Sequence, residues 1–187
     1  MIIIAPYDPE WPMLFASEAV RIRQALGNLA LRIEHVGSTS VPRFAAKPVV
    51  DIQISVPLLA PADLYRAWLA DLGYTHFSLG AYDLMYPFFK KPADWPSTHR
   101  VHLCVAGSEQ ERDHLAIRDY LRRRPEIAAE YANLKRQLAA VHDGVTLESQ
   151  ERYSLARTEF VRTALARAFA EGRNTRVPHD ATLRCGL

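Results

Sequence analysis

The residues best suited to chemistry lie in a short glycine–serine loop and on the strand that follows it. Gly37 and Ser38 begin a loop of small residues, in which Thr39 and Ser40 add two further hydroxyl groups. A glycine turn can expose backbone N–H groups, and together with the hydroxyls these can bind the oxygens of a phosphate group. We therefore predict that the loop contacts a phosphate-bearing ligand, with Lys47, farther along the same loop, supplying positive charge.

Asp51 is the candidate carboxylate of this site. It lies in residues 49–56, where apolar and polar side chains alternate as in a strand with one packed face and one polar face. Asp51 and Gln53 therefore lie on the same face of that strand. A carboxylate between apolar neighbours needs a partner, because an unpaired buried charge is unfavourable. The residues alone favour equally a functional site and a structural ion pair, for example with Lys47.

Two histidines lie in another apolar segment, residues 99–105. On a strand, side chains three positions apart point to opposite faces, so His99 and His102 cannot ligate one ion unless the strand bends. His102 shares a solvent-reachable pocket with Asp51 and Gln53 only if its strand pairs in a suitable register. The sequence does not determine that register.

Composition and charge narrow the class of protein. The chain has 187 residues, a formal net charge of +2 and an apolar content of 49%, which fits one globular domain. So mild a charge does not favour a nucleic acid as the partner. No run approaches the roughly 18 apolar residues of a membrane span, and the first residues lack the basic segment of a signal peptide. We therefore expect a cytoplasmic protein without membrane contact.

Hydrophobic periodicity predicts strands in the first half of the chain and only helices after residue 107. Because strands and helices are partly segregated, the expected class is α+β. Gly172 is predicted to end the last helix, which gives a domain over residues 1–172 and a flexible tail over residues 173–187. The predicted strands cover residues 31–36, 49–56, 74–78, 82–89 and 99–105, and the predicted helices after the first cover residues 62–72, 109–123, 125–141 and 149–171.

Several basic residues lie in the helical half. Residues 118–124 contain a cluster of arginines, which we interpret as a solvated helix end, where cations are favourable. Lys135 and Arg157 could reach a phosphate, but exposure to solvent is the simpler interpretation.

The loop and the strand together resemble the motif of the GrpB family. The matching residues run from His35 to Pro42, followed by Lys47 with Pro48, and then Asp51 with its two neighbours, and further matches extend over residues 6–170. The family is similar in fold to the polymerase-β-like nucleotidyltransferases, and in some proteins a related domain is fused to dephospho-CoA kinase. The resemblance implies a nucleotidyltransferase-like mixed sheet flanked by helices, with a helical C-terminal half.

In such nucleotidyltransferases a Gly-Ser turn binds a triphosphate, and two acids two positions apart on the next strand hold Mg²⁺. This sequence keeps Gly37, Ser38 and Asp51 but has Gln53 in place of the second acid. A single carboxylate with an amide and imidazoles suits a transition metal better than Mg²⁺, or no metal at all.

The resemblance therefore implies a nucleotidyltransferase-like enzyme, or a degenerate relative, that binds a nucleotide or another phosphorylated small molecule. The alternative is a non-catalytic accessory or ligand-binding module that keeps the fold. Asp51 and His102 are the candidate catalytic residues and the candidate donors to a divalent metal, Mg²⁺ or a transition metal. The candidate ligand contacts are Gly37, Ser38, Thr39, Lys47 and Gln53.

Overall fold

A computed structural model describes residues 2–94, 96–142 and 144–174, except for the side chains of residues 173 and 174. In chain order, its helices and strands are α1 Trp11–Leu26, β1 Arg32–Val36, β2 Val50–Val56, α2 Ala62–Asp71, β3 Thr75–His76, β4 Phe88–Lys91, β5 His99–Val105, α3 Glu109–Arg123, α4 Pro125–Val141, α5 Leu147–Leu155 and α6 Thr158–Asn174. No helix among these residues is both long enough and apolar enough to cross a membrane.

The strands form one mixed sheet of five strands in the order β1-β2-β5-β4-β3. β2 is antiparallel to β1 and parallel to β5, and the remaining neighbours are antiparallel. The prediction of an α+β fold with a mixed sheet, in which the strands around residues 31–36 and 49–56 are neighbours, is confirmed. The parallel pairing follows from the long connection between β2 and β5, which contains α2.

One face of the sheet is apolar and packs on α1 and α2. Ile52 and Ile54 of β2 are fully buried there together with Leu103 of β5, and they pack in one cluster with Ile22 of α1 and Leu69 of α2. This is the packed face that the alternation in residues 49–56 predicts. Its burial leaves the opposite face of β2 and β5 for polar side chains.

The helical half forms a second core with the loop after β1. Val41 and Phe44 of that loop are buried against Leu121 of α3 and Tyr131 of α4. The loop therefore packs between the sheet and the helices. As a result, the polar face of β2 faces residues from the far end of the chain.

The structure corrects the predicted strand over residues 82–89. A 3₁₀ helix occupies Gly80–Leu84, and the strand begins only at Phe88 and runs to Lys91. The reason is local, because the Asp83 carboxylate accepts hydrogen bonds from the backbone N–H of Leu79 at 2.8 Å and from the Ser78 hydroxyl at 2.7 Å. Such bonds stabilise a turn over a strand.

The predicted helix over residues 149–171 is two helices, α5 and α6, separated near Arg157. Arg157 Nε donates to the backbone carbonyl of Tyr153 at 3.2 Å, at the C-terminal end of α5. The predicted stop at Gly172 is wrong, since α6 continues to Asn174; a glycine within a helix is unfavourable by only about 1 kcal/mol. The rest of the predicted tail, residues 175–187, lies outside the described residues.

Candidate functional site

The glycine–serine loop begins where β1 ends and is held by side chains from two directions. Gly37 has φ 68° and ψ −169°, a conformation that glycine adopts readily. The Ser40 hydroxyl donates to the Gly37 carbonyl at 2.6 Å. Arg122 of α3 donates two hydrogen bonds to the Ser40 carbonyl, at 3.0 and 2.8 Å. Part of the predicted solvated arginine cluster therefore supports the loop.

The hydroxyl groups of Thr39 and Ser38 lie in different surroundings. Thr39 is 1% exposed, and its hydroxyl donates to the Val49 carbonyl at 3.0 Å while contacting His35 Nε2 at 3.0 Å. Ser38, in contrast, lines the cavity beside β2. Ser38 is thus the loop hydroxyl that can meet a ligand, whereas Thr39 joins the loop to the start of β2.

Asp51 and His102 meet across the two central strands. Their positions are two residues out of step, because the register pairs Asp51 with Arg100 and Gln53 with His102. The His102 ring bridges that offset and places Nε2 3.1 Å from Asp51 Oδ1. His102 is therefore the hydrogen-bonding partner that this partly buried carboxylate needs.

The contact continues as a chain of hydrogen bonds through three more side chains. Tyr86 Oη lies 2.8 Å from His102 Nδ1 and 2.8 Å from His114 Nε2. His114 Nδ1 lies 2.8 Å from Gln53 Oε1. The hydrogen bonds thus lead from Asp51 on β2 to β5, then to the segment before β4, and then to α3. They return to β2 at Gln53, two residues after Asp51.

The protonation states along the chain follow from burial and neighbouring charge. Burial acts to raise the pKa of Asp51, but the hydrogen bond and charge of His102, with Arg100, lower it overall. Burial, followed by the nearby His102, lowers the pKa of His114 to about 3. Burial raises the pKa of Tyr86 well above its usual value. At neutral pH, Asp51 is therefore a carboxylate, while His114 and Tyr86 are uncharged.

Two adjoining cavities lie between this end of the sheet and the helical half. Their volumes are about 100 and 250 Å³, and both are lined by Ser38, Asp51, Arg100 and Arg157. The smaller is closed by residues of α4 and α5, and the larger extends along α3 past His102 and His114. Four cationic side chains line the smaller cavity: Lys47, Arg100, Lys135 and Arg157.

Two of these side chains are lysines whose charged form is disfavoured by burial. Burial, followed by the charges of Arg157 and Arg100, lowers the pKa of Lys47 to about 7. Burial, followed by Arg157, lowers the pKa of Lys135 to about 6. Lys135 is 2% exposed and donates to the Ala45 carbonyl at 2.7 Å. Solvent exposure was therefore the wrong interpretation for Lys135.

Tyr153 adds a polar group that has no hydrogen-bond partner among the described residues. Its side chain is fully buried, it lines the smaller cavity, and its hydroxyl has no hydrogen-bond partner in the described part of the chain. The Lys47 ammonium lies 4.0 Å from the centre of its ring. A buried hydroxyl of this kind is available to donate to a ligand or a water molecule in the cavity.

A model of the GrpB protein family matches residues 1–167. The chain belongs to the GrpB family. It is 34% identical over 170 residues to UPF0157 protein YqkA of Bacillus subtilis, covering 90% of this chain and 48% of YqkA. It is 37% identical over 169 residues to UPF0157 protein BH1888 of Halalkalibacterium halodurans, covering 90% of this chain and 83% of BH1888. The chain thus spans about half the length of YqkA and most of that of BH1888.

A solved structure of the same family has a similar fold. The structure is similar to the crystal structure of the conserved protein GrpB from Enterococcus faecalis, with a TM-score of 0.75 at 34% identity, covering 89% of this chain and 99% of the other. The resemblance seen in the loop and strand motif is therefore confirmed at the level of the family and its fold.

Within this GrpB domain, the predicted site residues fall into two groups. The cavities are lined by Gly37, Ser38, Lys47, Asp51 and His102. Thr39 and Gln53 do not reach them, because both side chains are buried and hydrogen-bonded within the protein.

Sequence reasoning missed several residues of the site altogether. Arg100 could have been found, because strand alternation places it on the same face as His102. Tyr86, His114 and Tyr153 carry no local signal, since each is brought to the site by packing between distant segments.

The donors available for a divalent metal are few. Asp51 Oδ1 and His102 Nε2 are hydrogen-bonded to each other, and the position of a second acid is taken by the buried amide of Gln53. Within the described ranges, no group of three or more His, Cys, Asp or Glu side chains is arranged to hold a metal ion. These residues do not fit a Mg²⁺ centre of two carboxylates. The divalent metal stays a prediction.

Proposed function

We propose that this GrpB protein binds a nucleotide or another phosphorylated small molecule in the two cavities, with a phosphate group in the smaller one. The observation that carries the proposal is the convergence of Lys47, Arg100 and Arg157, with Lys135 behind them, on a cavity in which Asp51 is the one carboxylate among the described lining residues. Desolvated cations repel one another, and an anion placed among them relieves that repulsion. Burial, and after it the charge of Arg157, lowers the pKa of both lysines, so a bound anion would favour their charged forms.

The sizes of the cavities suit a ligand with a compact anionic end. A volume of about 100 Å³ is roughly that of three water molecules, which suits one phosphate group better than a whole triphosphate. Ser38 and Tyr153, whose hydroxyl has no partner in the described ranges, can donate hydrogen bonds there. The larger cavity has apolar walls from Ile117, Leu121 and Val161, which suit the remainder of the ligand.

For the chemistry, Asp51 is the candidate general base of a nucleotidyltransferase-like reaction. Both ring nitrogens of His102 are engaged, Nε2 with Asp51 and Nδ1 with Tyr86. Asp51 Oδ2 accepts no hydrogen bond from the described residues, so the carboxylate has an oxygen left for a ligand while His102 holds Oδ1. A carboxylate in that place can accept a proton from a ligand hydroxyl as it attacks.

One observation favours the alternative, a non-catalytic ligand-binding module. Gln53, at the position of the second acid, is fully buried and cannot contact a ligand. A degenerate site that retains the cations but lacks the acid pair would bind phosphate without turning it over.

Calorimetric titration tests the binding. We would titrate ATP, AMP and pyrophosphate into the wild type, Arg157→Gln and Ser38→Ala, with Arg123→Gln as the control for an exposed arginine of α3. Loss of the charged hydrogen bonds should weaken binding about tenfold or more in Arg157→Gln, and loss of the hydroxyl by a smaller factor in Ser38→Ala. The proposal fails if none of these ligands binds, or if binding depends on Arg123 and not on Arg157.

Asp51→Asn separates the enzyme from the binding module. For an enzyme, turnover of a bound nucleotide should fall about a hundredfold or more while affinity is kept or improved, because the carboxylate repels phosphate. For a module, the wild type shows no turnover and the variant only binds more tightly.

A further inference from the structure

A third cavity, which we call the aromatic cavity, adjoins the cavity proposed for the phosphate group. Its volume is about 600 Å³, against about 100 and 250 Å³ for the other two. That volume is typical of small-molecule sites, which span roughly 300–1,000 Å³. The aromatic cavity meets the smaller cavity at Arg100, Gln150 and Ser154, which line both. A ligand held in the smaller cavity can therefore extend past these residues into the aromatic cavity.

Three aromatic rings line this cavity, those of Phe77, Tyr82 and Phe88. Phe77 and Phe88 meet edge to face, with ring centroids 6.2 Å apart and an angle of 87° between the ring planes. Aromatic pairs gain energy from stacked and edge-to-face contacts beyond the burial of their area. Walls of this kind favour a planar aromatic ring as the occupant over a flexible aliphatic chain.

The rim of the aromatic cavity exposes apolar side chains to solvent. Tyr82 is 66% exposed and Leu147 of α5 is 65% exposed, and both line the cavity. Neighbouring exposed apolar side chains are typical of a binding surface. The 3₁₀ helix that carries Tyr82 is held by Asp83, which accepts a hydrogen bond from the N–H of Leu79 at 2.8 Å. The backbone that presents the Tyr82 ring is therefore fixed within the protein itself.

Two polar groups lie beside these apolar walls. Lys90 lines the cavity, and its ammonium lies 3.4 Å from the centre of the Phe77 ring. Gln150 donates Nε2–H to the Gly144 carbonyl at 3.0 Å, which leaves Oε1 of the amide as an acceptor. A donor and an acceptor beside aromatic walls suit a ring with polar atoms at its edge, as in the base of a nucleotide, better than a hydrocarbon group.

We propose that the aromatic cavity binds the base of a nucleotide whose phosphate group lies in the smaller cavity. The inference rests on the proposed function, and it narrows the ligand from phosphorylated small molecules in general to nucleotides. The 250 Å³ cavity meets the smaller one at Ser38 and Asp51 instead. It is therefore left for whatever group the phosphate carries besides the nucleoside.

Calorimetric titration of AMP and of ribose 5-phosphate into the wild type tests the inference. The two ligands share the sugar and the phosphate group and differ in the base. We expect AMP to bind about tenfold more tightly or better, because a base gains affinity by stacking on aromatic side chains. Equal affinities would overturn the inference and leave the proposed phosphate site standing. If neither ligand binds, the proposed function fails and the inference fails with it.

Variants of the rim place the base. Tyr82→Ala should weaken the binding of AMP about fivefold or more, and Leu147→Ser should also weaken it, while neither changes the affinity for ribose 5-phosphate. Arg157→Gln should weaken both ligands alike, because it acts on the phosphate. Phe169→Ala is the matched control and should change neither affinity, since Phe169 is an exposed aromatic residue of α6 that is not among the described lining residues of the three cavities. Unchanged AMP affinity in both rim variants would refute the assignment.

Butyl phosphate tests whether the aromatic cavity requires a ring. We expect it to bind no more tightly than ribose 5-phosphate, with the same affinity in the wild type and in Tyr82→Ala. If butyl phosphate binds as tightly as AMP and loses affinity in Tyr82→Ala, the cavity takes an aliphatic chain, and the assignment to a base is overturned.

Discussion

The side chain of Asp51 lies directly against the backbone of Gly37, so closely that a β-carbon on Gly37 would be 2.5 Å from Asp51 Oδ2. The loop and the carboxylate therefore form one unit. Any side chain at position 37 pushes the carboxylate away from the cavity or the loop away from the strand.

Gly37→Ala should both destabilise the fold and disable the site. The backbone conformation alone, φ 68° with ψ −169°, is unfavourable by roughly 1–3 kcal/mol for alanine, and the overlap with Asp51 adds to it. Gly80→Ala is the matched control, since Gly80 has φ 67° and nothing within 4 Å of an added β-carbon. Urea unfolding should show the larger loss for Gly37→Ala, and phosphate-ligand affinity should fall only in that variant. If both variants lose the same stability and Gly37→Ala keeps its affinity, Gly37 and Asp51 are not in the close contact described.

Tyr153→Phe should weaken binding without weakening the fold. The Tyr153 hydroxyl has no partner among the described residues, so its removal should change the free energy of unfolding by less than about 0.5 kcal/mol. Loss of a hydrogen bond to a phosphate should reduce affinity about tenfold. Tyr65→Phe should show the reverse, because its hydroxyl donates to a backbone carbonyl away from the cavities. A Tyr153→Phe protein that binds as tightly as the wild type would place the phosphate elsewhere.

Phosphate affinity should fall as the pH rises above about 7. The pKa of Lys47 is lowered to about 7, so below this pH the free protein carries the ammonium that attracts an anion, and above it the amine is neutral. Bound phosphate favours the ammonium and raises its pKa, so binding above pH 7 takes up a proton. Calorimetry in buffers of different ionisation enthalpy measures that uptake. Lys47→Arg should reduce the uptake, because arginine stays charged; unchanged uptake would assign the proton to another group, such as Lys135, which lines the same cavity.

The cations of the smaller cavity should allow a phosphate ligand to bind without a divalent metal. We expect the affinity for AMP to differ by less than about threefold between EDTA and Mn²⁺, since Lys47, Arg100 and Arg157 already supply positive charge. The same titrations on Asp51→Asn are the control. If Mn²⁺ instead raises the affinity for AMP strongly, and Asp51→Asn abolishes that rise, a metal binds at Asp51 and His102 as the sequence predicts.

The alternation in residues 49–56 was sufficient to predict a strand, its packed face and the shared face of Asp51 and Gln53, because side-chain direction in a strand depends only on position. The small residues of the loop were sufficient to indicate a turn, and the motif around Gly37 was sufficient to indicate the GrpB family. Local patterns could not predict the 3₁₀ helix at Gly80–Leu84, where one carboxylate overrides strand propensity.

The tertiary structure alone decided what surrounds Asp51. Strand register placed His102 within reach, and a shift of two residues would have kept the same faces with a different neighbour. Burial of Gln53 beneath α3 turned a predicted ligand contact into the end of a hydrogen-bond chain. Lys135 comes from α4 and Arg157 from the turn between α5 and α6, both far along the chain, and the sequence carries no local record of which distant side chains line a cavity. Only the packing of the helical half against the sheet brings these positive charges together.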